Sequence, residues 1–234
     1  MRLDKFICKS TEYDLVDATA LIENSRVVVN EVITHEPTHQ VHKNNVVTLD
    51  GKTLTPRLSR YFMLNKPLNM ICSNIDEQYP SALNLLDIDN KTELHIAGRL
   101  DADTTGLVLI TDDGHWSFNI TAPKNKCEKV YKVVLSRPIS PDITQRFQQG
   151  ILLQGESSPT LPATLHIIDA HNVLLTLTEG RFHQIKRMFS AIGNRVKSLH
   201  RQQIANLELD VDIGHWRSLT QAEVEALSLS DKLL

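Results

Sequence analysis

Residues 98–110, GRLDADTTGLVLI, limit the possible folds more than any other stretch of the chain. Two glycines, Gly98 and Gly106, bracket a short polar turn, and the run passes directly into Leu107, Val108, Leu109 and Ile110. Four consecutive apolar residues closed by Asp112-Asp113-Gly114 have the length and punctuation of a buried strand. Glycine permits backbone angles, or a close approach by another group, that a side chain would forbid. The result is a polar turn between apolar strands, with Asp101 displayed on it. A carboxylate in such a place is poised as nucleophile or base. Taken alone, the segment favours the plainer reading that Asp and Thr side chains build the turn.

The rest of the pattern divides the chain. In residues 1–55, Leu3, Phe6 and Ile7 have helical spacing, and Asp14 is placed to cap a second helix with Ala18, Leu21 and Ile22 facing inward. Short β-branched runs follow at 27–29, 32–34 and 46–49, with turn signals at Asn30-Glu31 and Asp50-Gly51. Residues 52–60 contain Pro56 and no periodicity, which predicts an irregular connection. The expected organisation is a small domain over 1–55, a linker over 56–60 and a larger domain over 61–234. In the larger domain a strand over 61–64 is stopped at Pro67, which cannot donate to a sheet ladder. Further strands are expected at 129–135 and 173–178. Ser140-Pro141 predicts a helix start, with Ile143 and Phe147 on one face and Gly150 ending it. Ile185, Met188, Phe189 and Ile192 mark the clearest helix, stopped by Gly193, with Lys186 and Arg187 off its apolar stripe. Thr220 and Glu223 form the capping box of a last helix. Strands with helices at irregular intervals predict an α+β fold with a largely antiparallel sheet, not a doubly wound one.

The formal charge of −3 argues against a general polyanion binder, but its distribution is uneven. Residues 121–137 hold Lys124, Lys126, Lys129, Lys132 and Arg137 against Glu128 alone. Residues 181–201 hold Arg181, Lys186, Arg187, Arg195, Lys197 and Arg201 with no acidic residue. These stretches make either a phosphate-binding track or two solvated faces. A content of 41% hydrophobic and 23% charged residues excludes collagen-like and disordered classes. No apolar run reaches the roughly 18 residues of a membrane span, and MRLDKFICKSTEYD lacks the apolar core of a secretory signal. Cys8, Cys72 and Cys127 are odd in number and far apart, so no disulfide framework is expected. A reduced, cytoplasmic protein without a membrane partner is the expectation.

Two further clusters carry chemistry-bearing residues. GRFHQIKRM at 180–188 opens the amphipathic helix, and a cation there can pair with a carboxylate elsewhere and hold it ionised. The alternative is a solvated basic face. Tyr131, between Lys129 and Lys132, suits a base stacked beside phosphates, or a core strand position. His35, His39 and His42 have a metal-like spacing but fall in a loop, and no metal is expected there. There is no phosphate-binding loop, dinucleotide fingerprint or Gly-x-Ser-x-Gly elbow.

Together these segments resemble a known family. GRLDADTTGL at 98–107 is similar to the signature of the pseudouridine synthases, in the branch acting on ribosomal RNA. YFMLNKP at 61–67 resembles the first motif of that family, EKVYKV at 128–133 its tyrosine motif, and GRFHQIKRMF at 180–189 its third motif, in the same order and spacing. Residues 1–55 resemble the small RNA-binding module named after ribosomal protein S four, so the resemblance covers essentially the whole chain. It implies an α+β fold in which that module precedes a catalytic domain built on a largely antiparallel mixed sheet with flanking helices. It implies that a uridine of small-subunit (16S) ribosomal RNA, expected at uridine 516, becomes pseudouridine. The bond from ribose C1′ to uracil N1 breaks, the base turns, and C5 joins C1′. No cofactor is implied.

By the same resemblance Asp101 matches the catalytic aspartate, Lys186 the cation that pairs with it, and Tyr131 the tyrosine that stacks on uracil. Arg99 would open space for the flipped nucleotide or hold its phosphate. Lys66, Lys124, Lys126, Lys129, Lys132, Arg181, His183, Gln184, Arg187 and Arg201 are the expected RNA-binding residues. The expected partner is ribosomal RNA, free or in an assembling small subunit, and the expected state is a monomer. The chain departs from the family pattern at Asp14-Leu15-Val16-Asp17, where basic residues are usual. Residues 1–59 hold seven Lys and Arg against eight Asp and Glu, so RNA recognition is expected to rest more on 124–132 and 181–201. Three other functions compete: a sister enzyme acting on large-subunit RNA, a non-catalytic assembly factor that has no need of Asp101, and a glycosidase. The glycosidase needs a second carboxylate, and Asp103 is too close to Asp101 for the usual separation.

Overall fold

The structure is a computed structural model that describes residues 1–228, so the last six positions of the expected larger domain lie outside the described residues. It divides into two units, Met1–Ser59 and Arg60 onward. In the first, helices α1 (Leu3–Ser10) and α2 (Leu15–Glu23) precede strands β1 (Val27–Val29), β2 (Val32–Ile33), β3 (Val47–Leu49) and β4 (Lys52–Thr53). The strands form an antiparallel sheet in the order β2-β1-β3-β4. Asp14 caps α2 by accepting from the amides of Val16 (2.8 Å) and Asp17 (2.9 Å). Leu3, Ile7, Ala18, Ile22 and Val27 are fully buried between helices and sheet.

Two tight turns explain where the strands fall. Asn30 and Glu31 both have positive φ, as do Asp50 and Gly51, which is the twist-matched geometry of a two-residue hairpin. The second turn sends the chain back, so Lys52 and Thr53 pair with Leu49 and Thr48 instead of opening an irregular connection. Residues 57–59 are tied to α1: the Arg57 amide donates to the Lys9 carbonyl (2.9 Å) and Lys9 Nζ to Ser59 Oγ (2.6 Å).

The second unit is built on nine strands. They are β5 (Tyr61–Lys66), β6 (His95–Ala97), β7 (Thr105–Thr111), β8 (Lys129–Leu135), β9 (Thr164–Ile167), β10 (Asn172–Leu177), β11 (Val196–Ile204), β12 (Leu207–Glu208) and β13 (Trp216–Ser218). The main path runs β13-β5-β7-β11-β8-β10-β9, with β6 on β7 and β12 on β11. Among the pairings between this sheet's described strands only β7–β11 is parallel, so the sheet is mixed but mainly antiparallel and the fold is α+β.

Four helices cover the sheet: α3 (Gly114–Thr121), α4 (Ile143–Gln149), α5 (Gln184–Ala191) and α6 (Gln221–Ser228). Alternation along β7 sends Val108 and Ile110 to one core, with Tyr131, Leu175, Met188 and Phe189, and Leu107 and Leu109 to the other, with Trp116, Ile120 and Val224. Asp113 caps α3, and Glu223 completes the capping box of α6 by accepting from the Thr220 amide at 2.7 Å. Helix α4 starts later than Ser140-Pro141 suggests, because the Ser140 hydroxyl donates to Asp142 rather than capping the helix. No helix among the described residues is long and apolar enough to cross a membrane.

Candidate active site

Strand register sets the site. β11 lies parallel to β7 through the pairs His200–Thr105 and Arg201–Gly106, and antiparallel to β8 through Arg201–Tyr131. Arg201 and Tyr131 are therefore direct neighbours on one face. The backbone of Arg201 passes so close to Gly106 that a Cβ there would lie 2.2 Å from its carbonyl oxygen. Only glycine fits, and its φ of +109° suits no other residue. Arg201 is 1% exposed, and its guanidinium donates to the carbonyls of Leu107 (2.7 Å) and Gly98 (2.5 Å) and to the Tyr131 hydroxyl (3.3 Å). It thus ties together both ends of the glycine-bracketed turn and the aromatic ring.

Asp101 leaves this turn toward helix α5. The Thr104 amide donates to the Asp101 carbonyl (3.1 Å), and the Leu100 amide to Cys72 Sγ (3.2 Å), which fixes the backbone on both sides. Lys186, in the first turn of α5, donates through Nζ to Asp101 Oδ2 (2.9 Å) and to Asp103 Oδ1 (2.5 Å). His183 Nε2 stands 3.5 Å from the same Asp101 oxygen. Partial burial alone pushes the Lys186 ammonium down, but its hydrogen bonds to Asp103 and Asp101 outweigh this and raise its pKa. Partial burial likewise pushes the Asp103 carboxyl up, and the Lys186 hydrogen bond and charge overcome this and hold it below its ordinary range.

Asp101, His183 and Lys186 face a cavity of about 780 Å³, whose lining does not include Asp103. It brings together Arg99, Asp101, Lys129, Tyr131, Arg181, His183, Gln184, Lys186 and Arg201 from the residues singled out by sequence. Lys66, Lys124, Lys126, Lys132 and Arg187 do not line it. The volume suits a flipped nucleotide, within the roughly 300–1,000 Å³ usual for ligand sites. No group of three or more His, Cys, Asp or Glu among the described residues is arranged to hold a metal.

Several cations expected at an RNA-facing rim are placed otherwise. Arg201 points into the sheet core. Lys66 is fully buried, donating to the carbonyls of Pro67 (2.8 Å) and Met70 (2.9 Å), and burial pushes its pKa down. Lys129 donates to the Cys127 carbonyl (2.8 Å) and is also shifted down by burial. Arg181 pairs with Glu179 and Glu156, Arg187 with Glu156, and buried Gln184 with Glu179 and the Arg181 amide. Arg181 and Arg187 fasten the start of α5 to the 154–160 segment, and Gln184 ties it to Glu179. Arg99, Lys124, Lys126 and Lys132 are exposed, and Lys124 lies 5.6 Å over the Phe118 ring. Sequence reasoning missed Asp103 as the second partner of Lys186, although its place two residues beyond Asp101 on one turn was a usable signal.

The geometry can be set beside known proteins. Residues 60–191 match the family described as RNA pseudouridylate synthase. The chain belongs to that family. It is 45% identical to the Vibrio cholerae protein named ribosomal small subunit pseudouridine synthase A, over 97% of this chain and 99% of that one. It is 44% identical to the Escherichia coli K12 protein of the same name, over 97% and 100%. A solved structure described as a pseudouridylate synthase matches with a TM-score of 0.72 at 45% identity, covering 97% of this chain and 99% of that one. The family match lies wholly in the second unit, from its first residue through α5.

Proposed function

We propose that this chain converts one uridine of small-subunit ribosomal RNA, uridine 516, to pseudouridine. The observation that carries this reading is the Asp101–Lys186 pair at 2.9 Å, facing a cavity that also contains the Tyr131 ring. Full-length relatives named for the small subunit support the target. The reaction is an isomerisation. The C1′–N1 bond breaks, the uracil turns, C1′ joins C5, C5 gives up its proton and N1 gains one. The balance needs no redox partner or other cofactor.

In this account Asp101 acts as an anion, and Lys186 keeps it ionised as water leaves the cavity. An ionised Asp101 serves each available route, whether it adds to C1′, adds to the base or takes a proton on a glycal path. Tyr131 offers its ring to the freed uracil and holds it while it turns. Extruding the uridine from its stack costs a few kcal/mol, which contacts from exposed Arg99, Lys124, Lys126 and Lys132 help offset. Residues 1–59 serve as an accessory RNA-binding module, weakened by their eight acidic residues against seven basic ones. The bacterial cytoplasm, where ribosomal RNA is made, is the expected location.

The test treats small-subunit and large-subunit RNA transcripts, bare and with ribosomal proteins, with wild type and Asp101→Ala. Carbodiimide adducts then mark pseudouridine as stops in reverse transcription. A single new stop at uridine 516, absent with Asp101→Ala, is expected. A stop only in large-subunit RNA would move the target, and none in either RNA would favour a binding role.

A further inference from the structure

The cavity has one aromatic side chain that the account above does not use. Phe182 lines it yet is 76% exposed, and it lies flat on the His183 imidazole, with centroids 3.9 Å apart and planes at 19°. Phe118, the other exposed phenylalanine among the described residues, is covered by Lys124 and lies outside the cavity. Phe182 is anchored through its backbone and its neighbour Arg181. Its carbonyl accepts from Arg187 (3.2 Å), and the preceding Arg181 is bonded to Glu179 and to the Ser158 and Pro159 carbonyls. Its inner face rests on His183, whose Nε2 is 3.5 Å from Asp101. Its outer face is open to water.

Resting on the reading above, we propose that Phe182, propped by His183, is a stacking platform for the unpaired nucleobase next to the target uridine. Pulling one nucleotide out of a strand leaves each neighbouring base with one uncovered face. An aromatic ring fixed at the mouth of the receiving cavity covers such a face, and does so for any base because every base has a π surface. Nearby exposed Arg99 supplies positive charge for the backbone on either side.

The experiment uses the full chain and a small-subunit RNA fragment containing uridine 516, with 2-aminopurine on its 5′ or its 3′ side. Wild type, Phe182→Ala, Phe182→Leu and Phe182→Trp are compared for 2-aminopurine fluorescence and for KM and kcat. Stacking on the ring should quench one of the two labels with wild type and with the Trp variant, and leave it bright with Ala and Leu. KM should rise about tenfold in the Ala variant, with the loss falling on KM rather than kcat. Recovery by Leu as complete as by Trp, or an Ala variant equal to wild type, would overturn the platform. If the quench pattern holds but no pseudouridine forms, the platform stands and the target reading fails. If pseudouridine forms without the quench pattern, the platform alone fails.

Discussion

The two ends of the cavity handle charge in opposite ways. At the exposed end Asp101 is paired with Lys186, whose ammonium also meets Asp103 outside the cavity, with side chains 35%, 25% and 69% exposed. Such pairs contribute at most about 1 kcal/mol each to stability and are readily rearranged around a substrate. At the buried end Arg201 has no carboxylate partner among the described residues. It satisfies two backbone carbonyls and a phenol, and it is only 1% exposed. The same residue class thus does two jobs: half-buried Lys186 meets Asp101, the carboxylate proposed to react, and buried Arg201 holds the backbone that displays it.

That division is open to breaking. The largest effect belongs to Asp101→Asn, which should cut kcat by at least about 10⁴-fold, as removal of a central catalytic group does. Its stability should stay within about 0.5 kcal/mol of wild type in urea denaturation. Arg201→Met should do the reverse in kind and lose about 3 kcal/mol of stability, because it strands buried carbonyls. A stable Arg201→Met protein that lost only activity would place that residue among the reacting groups and erase the distinction.

A subtler test is the titration of Asp103. Its carboxyl is held low, so in wild type it stays charged further into acid than a free carboxylate. Any stability it contributes is present above the ordinary carboxylate pKa and is lost as the pH falls through the lowered one. Lys186→Gln should move the Asp103 pKa upward in a carboxyl carbon NMR titration. The smallest effect lies far from the cavity, where Arg217 holds the Glu223 carboxyl down to about 2. Glu223→Gln should cost about 1 kcal/mol above pH 5, and the difference should vanish as the pH falls toward 2.

How much of this was legible depended on whether side-chain direction could be read along the chain. Glycines, an amphipathic helix and flanking lysines mark the surroundings of Asp101, Lys186 and Tyr131 but leave plainer readings open; the resemblance to the family singled the three out, and the structure brings them to one cavity. The turns at Asn30-Glu31 and Asp50-Gly51 are local and were readable, but the strand Lys52–Thr53 that returns from the second was not. Arg201 was not. It belongs to a run of basic residues that looks like one rim, yet the β8–β11 register turns its side chain onto the face of Tyr131. Lys66 misleads for the same reason: the strand runs two residues past Leu64, and its ammonium is consumed by carbonyls of the turn that follows. Charge content is local, whereas burial is fixed by pairing partners distant in sequence.

The most direct measurement of the central claim follows the C5 hydrogen. Small-subunit RNA carrying tritium at uracil C5 should release one equivalent per molecule with wild type, since joining C5 to C1′ expels that hydrogen. Asp101→Asn should bind the RNA as tightly and release none. Release by Asp101→Asn at the wild-type rate, or none by wild type on RNA that it binds, would contradict the account.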